Sequence, residues 1–169
     1  MMIRKYTVFV FAVVALFVFG AAQPVSAFSA AQVSNVTFHY PQYLNSVYII
    51  SGAVVSVGFT VTNIGSEWTA FHVCAVQRVG LGGGGYGDNY QVGCATVGMG
   101  AACLAGISWC TSSSRIVIIP GSVYASAPGQ LLIRVVVYDT LTSATVPIAT
   151  SPWYPVVYIV PQSQLSYPN

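Results

Sequence analysis

Apolar residues occupy every second position from residue 53 to residue 61, and most of the residues between them are polar or glycine. Five apolar side chains fall on one face of an extended chain: Ala53, Val55, Val57, Phe59 and Val61. Alternation of this length predicts a half-buried antiparallel strand. A second strand, rich in β-branched and aromatic residues, is predicted over 68–76. Asn63 and Gly65 lie between the two and adopt a positive φ more readily than most residues, so a turn is expected there.

Weaker patterns of the same kind run along the rest of the chain. They predict strands at 33–38, 47–50, 88–97, 115–119, 130–139, 144–149 and 156–160. The strand at 130–139 is apolar on both faces, which is typical of a central strand. Four prolines are expected to exclude the end of the chain from helices and central strands: Pro152, Pro155, Pro161 and Pro168. Seven to nine short strands predict an all-β fold, an immunoglobulin-like antiparallel β-sandwich.

One segment of the chain resembles a known family. Residues 52–77 carry the pattern Gly-x-x-Val-x-Val-x-Phe-x-Val-x-Asn-x-Gly followed by a strand. This is similar to the B–C hairpin of CARDB-like domains, which are immunoglobulin-like β-sandwiches of secreted and cell-surface proteins. The segment 127–139 is similar to a late strand of these domains, whereas their acidic, Asn-rich C-terminal strand is absent. The resemblance implies a β-sandwich, and it implies no site, because the family shares no catalytic residues.

The first 27 residues have the three parts of a secretory signal peptide. The start is basic, residues 8–22 are almost entirely apolar, and residues 25–27 fit the small-residue rule for cleavage. The apolar run is short for a membrane-spanning helix, which needs about 20 residues. An uncleaved N-terminal anchor is the alternative. We therefore expect a hydrophobic signal helix at 1–27, one β-sandwich domain at 28–169, and a protein that is secreted or held at the cell surface.

Charged residues are scarce, at 5% of the chain, against about 25% in an ordinary soluble domain. Residues 28–169 carry three basic and three acidic side chains and are therefore neutral: Arg78, Arg115, Arg134, Glu67, Asp88 and Asp139. The absence of a basic patch excludes nucleic acid as a partner and leaves membrane contact to an uncleaved N-terminal segment. A neutral surface also lacks the repulsion that keeps domains apart, which favours self-association or a cell-surface protein or glycan partner.

Four cysteines follow the predicted signal peptide. An even number in an exported protein predicts disulfides, and three pairings are open. We favour Cys74–Cys94, across a glycine-rich loop between neighbouring strands, and Cys103–Cys110, across a short loop. Zinc is the alternative, but the chain has no Cys-x-x-Cys pair and only two histidines. We expect no metal and no cofactor.

Candidate catalytic residues are few. The loop at 80–87 contains Gly-x-Gly-x-x-Gly, but a dinucleotide-binding loop opens a helix, and a strand is predicted here. Nothing places two carboxylates together, as a glycosidase requires. His39 or His72 could join Asp139 and a serine, but no Gly-x-Ser-x-Gly elbow supports a triad. We therefore predict that the protein is not an enzyme, with a secreted hydrolase as the least favoured alternative.

Tyrosine is abundant, with 11 residues in the chain, and provides large contact area at low entropic cost. The leading hypothesis is an extracellular structural or adhesive protein that assembles with copies of itself, by strand exchange through residues 28–38 or 155–161. The alternative is a monomeric module that binds a glycan or a protein. Its contact candidates are aromatic residues in or beside loops: Trp68, Tyr86, Tyr90, Trp109, Trp153 and Tyr154. Asn35 begins an Asn-Val-Thr sequon and is a candidate glycosylation site.

The scarcity of carboxylates predicts tolerance of acid. Acid unfolding proceeds mostly by protonation of carboxylates that are paired in the native state, and only three carboxylate side chains follow the signal peptide. We expect the far-ultraviolet circular dichroism of the folded protein to be unchanged between about pH 7 and about pH 3. An unfolding midpoint near pH 4 would contradict this prediction.

Overall fold

The computed structural model describes residues 29–40, 48–66, 68–100, 113–140 and 143–164. Within these ranges the chain forms β1 (Ala31–His39), β2 (Tyr48–Ile50), β3 (Val54–Asn63), β4 (Thr69–Gly80), β5 (Tyr90–Met99), β6 (Ser113–Ser122), β7 (Gly129–Asp139), β8 (Ser143–Thr150) and β9 (Tyr154–Val160). One turn of 3₁₀ helix follows at Gln162–Gln164. The predicted all-β class is confirmed.

The predicted signal helix at 1–27 lies outside the described residues. Among the residues that are described, no helix has the length and apolar character needed to cross a membrane.

The strands form two sheets. The smaller has the order β1-β3-β6, and the larger has the order β2-β9-β7-β4-β5, with β8 also paired to β7. β8 and β9 lie end to end along one edge of β7, where Thr150 pairs with Val136 and Tyr154 pairs with Ile133. The predicted antiparallel pairing is found in every described strand pair except one, because β2 runs parallel to β9. Parallel pairing requires a long connection, and most of the chain separates these two strands.

β3 and β4 belong to different sheets, so the predicted hairpin between them is wrong. The turn after β3 is made by a side chain rather than by a positive φ, which neither Asn63 nor Gly65 has. The N–H of Gly65 donates to Oδ1 of Asn63 at 2.8 Å, and Nδ2 of Asn63 donates to the carbonyl of Gly100 at 2.8 Å. Asn63 is fully buried. Its local hydrogen bond turns the chain out of the smaller sheet towards the larger one.

The core lies between the sheets and is built from the inward positions of alternating strands. The predicted apolar face around β3 is confirmed, since Ala53, Val55, Val57, Phe59 and Val61 are all buried. β7 is a central strand, as predicted, with β4 on one side and β8 and β9 on the other. Its inward residues Leu131, Ile133, Val135 and Val137 are fully buried.

β9 contains Pro155 and lies between β2 and β7, which corrects the expectation that prolines exclude this region from interior strands. The register gives the reason. β2 pairs only with Tyr158, Ile159 and Val160. Pro155 pairs with Leu132 on β7, at a point where no described residue pairs with the other side of β9. A proline is tolerated there because no described strand on that side requires its missing N–H.

A buried amide ties β4 to the segment between β6 and β7. Gln77 lies on the core face of β4 and is fully buried. Its Nε2 donates to the carbonyl of Tyr124, and its Oε1 accepts a hydrogen bond from the N–H of Tyr124 at 2.9 Å. Both polar atoms of the side chain are therefore satisfied inside the core, as buried amides require.

The favoured Cys74–Cys94 disulfide is present. The two cysteines lie directly opposite each other on β4 and β5, with their Cα atoms 4.1 Å apart. The predicted Cys103–Cys110 pair lies outside the described residues.

Candidate functional site

Two arginines and two aromatic rings stack on the outer face of the larger sheet. Cζ of Arg78 lies 3.7 Å from the ring centroid of Tyr86 and 4.2 Å from that of Trp153. Cζ of Arg134 lies 4.6 Å from the ring centroid of Trp153. We call these four residues the arginine–aromatic ladder. Each cation–π contact of this kind stabilises the arrangement by about 0.5–2 kcal/mol.

The pairing of β4 with β7 brings the two arginines together. Val76 lies opposite Arg134, and Arg78 lies opposite Leu132. Arg78 and Arg134 are therefore diagonal neighbours, at a spacing of about 7–8 Å in an antiparallel pair. Both alternate with buried residues along their strands, which directs their side chains away from the core.

Trp153 lies in the interruption between β8 and β9. Ser151 anchors this interruption, because its N–H donates to the carbonyl of Val135 at 2.9 Å and its Oγ accepts from the N–H of Val135 at 2.9 Å. Pro152 follows and has no N–H to offer to β7. Regular pairing resumes at Tyr154. The short departure from the sheet places the indole of Trp153 beside both arginines.

The glycine-rich loop positions Tyr86. The N–H of Gly87 donates to the carbonyl of Val79 at 2.8 Å, so the loop folds back onto the end of β4. Gly83 and Gly84 have φ values of 90° and 85°, a conformation that residues with a side chain rarely adopt. The glycines thus permit a tight reversal that brings the Tyr86 ring over Arg78. As predicted, the loop joins two strands and does not open a helix.

The charges of the ladder are not neutralised within the described part of the chain. Neither arginine forms an ion pair with a described carboxylate, including Asp88, which lies two residues after Tyr86. The Nε atoms of Arg78 and Arg134 are buried without a hydrogen-bond partner. The terminal Nη atoms are not among these buried atoms and have no described protein acceptor, so they face solvent.

A cavity of about 310 Å³ adjoins the ladder. It lies between the glycine-rich loop and the outer face of β7, and its lining includes Tyr86, Gln130 and Leu132. Tyr86 is 56% exposed and belongs to both the cavity and the ladder.

The structure brings together two of the six predicted contact aromatics, Tyr86 and Trp153. Trp68 and Tyr90 are exposed elsewhere on the surface, at 66% and 43%. Tyr154 packs against Phe38 with ring centroids 6.0 Å apart. Trp109 lies outside the described residues. Neither arginine of the ladder was predicted to belong to a site, because their proximity depends on the register between β4 and β7.

A second surface lies on the outer face of the smaller sheet. Ile116 and Ile118 on β6 are 82% and 63% exposed, and we call them the isoleucine patch. They line a cavity of about 260 Å³ with Asn35 and Thr37 of β1. Asn35 is exposed and has a φ of 53°, within an irregularity of β1 where the register with β3 shifts. The candidate glycosylation site therefore lies beside the patch.

The structure also shows the arrangement of the candidate metal ligands and of the candidate triad residues His72 and Asp139. Ligand atoms of His72, Cys74 and Cys94 lie within 4.8 Å of one another, but the disulfide occupies both sulfur atoms. Asp139 is fully buried and accepts a hydrogen bond from the Thr69 hydroxyl at 3.0 Å. His72 lies on the outer face of β4, where its ring is 6.3 Å from that of Tyr138. His72 and Asp139 therefore point to opposite faces of the larger sheet.

No protein-family model matches the chain, and no curated protein matches it. Among solved structures, the chain is similar to the alkylpurine DNA glycosylase AlkC of Pseudomonas fluorescens, bound to DNA containing an abasic site analogue. The identity is 10% and the TM-score 0.44, and the match covers 78% of this chain and 31% of that one. It is also similar to a β-glucosidase of Listeria innocua in complex with gluconolactone, at 12% identity and a TM-score of 0.43 over 79% of this chain and 16% of that one. The chain thus spans less than a third of either protein.

A third similar structure is the CARDB domain of a Pyrococcus furiosus protein in complex with di-metal ions. The identity is 13% and the TM-score 0.36, over 81% of this chain and 100% of that domain. This similarity amounts to a weak all-β relationship.

The prediction that the protein is not an enzyme is corrected by these comparisons. Two of these similar structures are of enzymes, a DNA glycosylase and a β-glucosidase. The exclusion of enzymatic activity is therefore withdrawn, and similarity at this level assigns no activity to the chain.

Proposed function

We propose that the protein is an exported, immunoglobulin-like β-sandwich that acts outside the cell as a structural or adhesive subunit and assembles with copies of itself. The isoleucine patch is the observation that supports this proposal. Two large aliphatic side chains on the outer face of β6 are 82% and 63% exposed. Contiguous apolar surface of this kind commonly marks an interaction site.

A second copy of the chain is the occupant that suits the patch. The cavity beside Ile116 and Ile118 is lined by apolar, hydroxyl, amide and imidazole groups, without any carboxylate, lysine or arginine. Residues 28–169 carry no net charge. Two copies therefore meet at this face without electrostatic repulsion, and each isoleucine that becomes buried contributes about 1.5–3 kcal/mol to association.

The two segments proposed for strand exchange are paired within the chain. β1 pairs with β3, and β9 pairs with β7 and β2. Among the described strands, β1 pairs only with β3, at the edge of the smaller sheet, so exchange of β1 disrupts fewer strand pairs than exchange of β9. The face contact through the isoleucine patch requires no exchange and is the form of assembly proposed here.

Replacing Ile116 and Ile118 together with threonine is expected to weaken assembly at least about tenfold, because the patch loses apolar area in both copies of a symmetric contact. Sedimentation velocity across a concentration series, with negative-stain microscopy of the same samples, measures this effect on the exported protein. Threonine favours strands, so the variant retains β6.

Ile64→Thr is the matched control, since Ile64 is 47% exposed in the turn after β3 and lies outside the patch. It is expected to assemble like the unaltered protein. Monomers of the unaltered protein at every concentration would contradict self-assembly. Monomers only when Asn35 carries a glycan would instead show that the glycan covers the patch.

The second candidate function is a monomeric module that binds a glycan or a protein, and the arginine–aromatic ladder favours it. The ladder presents two unpaired guanidinium groups and an exposed ring beside a cavity. A chain that sediments as a monomer but binds a ligand through Trp153 would establish this function in place of assembly.

A further inference from the structure

We infer that the arginine–aromatic ladder and its neighbouring cavity bind an acidic glycan, one whose sugar units carry carboxylates. This inference rests on the second candidate function above, and it specifies the chemistry of the ligand. The ladder residues are Tyr86, Arg78, Trp153 and Arg134.

The two positive charges of the ladder favour a negatively charged ligand. Arg78 and Arg134 share the ring of Trp153, and no described carboxylate neutralises either of them. Two like charges held on neighbouring strands repel each other, and a bound anion relieves that repulsion. Their Nε atoms are buried, so the ligand must use the solvent-facing Nη atoms. A carboxylate fits, because its two oxygens match the paired donors of a guanidinium.

The rings fix the geometry of these donors. Both ring centroids lie close to Cζ of Arg78, at 3.7 and 4.2 Å, so the guanidinium packs against Tyr86 and Trp153 together. An arginine that is held in place loses less side-chain entropy on binding than one that moves freely in solvent. The ladder therefore presents its charge in a fixed position.

The location of the ladder favours a glycan over an acidic peptide. Arg78 lies on β4 and Arg134 on β7, and both strands are paired on both sides within the larger sheet. The main chain there has no free hydrogen-bonding edge on which an extended peptide could be added as a strand. Recognition must therefore use side chains, and the ladder offers ring faces and guanidinium groups.

The neighbouring cavity accommodates a sugar unit next to the charge. Its volume of about 310 Å³ is at the lower end of the range for small-molecule sites. The ring of Tyr86 provides an apolar surface, and the amide of Gln130 provides a donor and an acceptor for hydroxyl groups. A uronic acid residue placed in the cavity directs its carboxylate towards Arg78, and the carboxylate of a second sugar unit, beside Trp153, then faces Arg134.

The test compares polygalacturonate with its carboxyl-reduced, neutral counterpart, by affinity electrophoresis of the exported protein. We expect binding to polygalacturonate that weakens as salt is added, and binding to the neutral polymer that is at least about tenfold weaker. Arg134→Gln is expected to lose at least about tenfold in affinity for polygalacturonate. Arg134→Lys keeps the charge without the paired donors, so its loss should be smaller. Arg115→Gln is the matched control, since Arg115 is exposed on β6 in the other sheet.

Each outcome decides a different point, provided that circular dichroism shows the variants to be folded. Equal losses in Arg134→Gln and Arg115→Gln would show unspecific charge attraction and overturn the inference. If the neutral polymer bound equally well and this binding were lost in Trp153→Phe, the requirement for an acidic ligand would be wrong. The second candidate function would then still hold. Binding of neither polymer by the unaltered protein would overturn the inference, and the second candidate function would then have to rest on a protein partner.

Discussion

Replacing Gly121 with alanine is expected to destabilise the protein by at least about 3 kcal/mol, or to prevent its folding. Gly121 lies on β6 where this strand passes over β5, and a Cβ added there would lie 1.9 Å from the carbonyl oxygen of Val92. The obstructing atom belongs to the backbone and cannot rotate away. On the facing strand, a Cβ added to Gly93 would lie 2.7 Å from the carbonyl oxygen of Pro120. Glycine at both positions therefore allows the two sheets to approach closely along this side.

Gly82→Ala is the control for this prediction. A Cβ added to Gly82 meets no atom within 4 Å, and Gly82 does not have a positive φ. Its stability in urea is expected to differ from that of the unaltered protein by less than about 1 kcal/mol. Equal stability of the Gly121 and Gly82 variants would show that β5 and β6 do not approach as closely as the structure indicates.

Removing the Cys74–Cys94 disulfide by a double substitution to alanine is expected to lower the free energy of unfolding by about 3 kcal/mol. The bond closes a loop with a sequence separation of 20 residues, which includes the glycine-rich loop and Tyr86. Without the bond, the unfolded chain has more conformational entropy, and folding of the β4–β5 hairpin must then remove more of it. Equilibrium unfolding under oxidising conditions measures the difference.

A suitable control is Thr96→Ala, because Thr96 is an exposed neighbour on the same strand, β5. This variant is expected to unfold at nearly the same denaturant concentration as the unaltered protein. If the double alanine variant did so as well, the pairing of β4 with β5 would be sufficient to hold this hairpin, and the disulfide would contribute little to stability.

The sequence predicted individual strands better than it predicted their partners. Alternation identified the buried face of β3, from Val55 to Val61, because side-chain direction along one strand depends only on local periodicity. It could not show that β3 and β4 occupy different sheets, since strand pairing depends on contacts between distant parts of the chain. The turn predicted at Asn63 and Gly65 is compatible both with a hairpin inside one sheet and with a connection between two sheets.

The core-face position of Gln77 can be derived from the alternation along β4. Gln77 has the same parity as Phe71, Val73 and Val79 on β4, which places it on the core face. A polar residue at such a position predicts a hydrogen-bond partner inside the protein. The identity of that partner, the backbone of Tyr124, could not be predicted, because it belongs to a segment 47 residues away.

Only the two aromatic residues of the candidate site could be predicted from the sequence. Tyr86 and Trp153 were identified because they lie in or beside loops, where side chains remain available for contact. Arg78 and Arg134 appeared in the sequence only as isolated charges. Their proximity follows from the register of β4 against β7 and from the anchored interruption at Ser151. Neither feature can be derived from local pattern alone.

Because β2 pairs in parallel with β9, this part of the larger sheet can form only after β9 has been synthesised. Tyr48–Ile50 must meet Tyr158–Val160, from near the other end of the described chain. Bringing together such distant segments has an entropic cost that no local hydrogen bond offsets, so contacts of this kind form slowly. Among the described strands, β9 is the only partner of β2. If the chain is exported with its N-terminus first, as proposed above, β2 stays without this partner until β9 has crossed the membrane, and this part of the larger sheet forms only then.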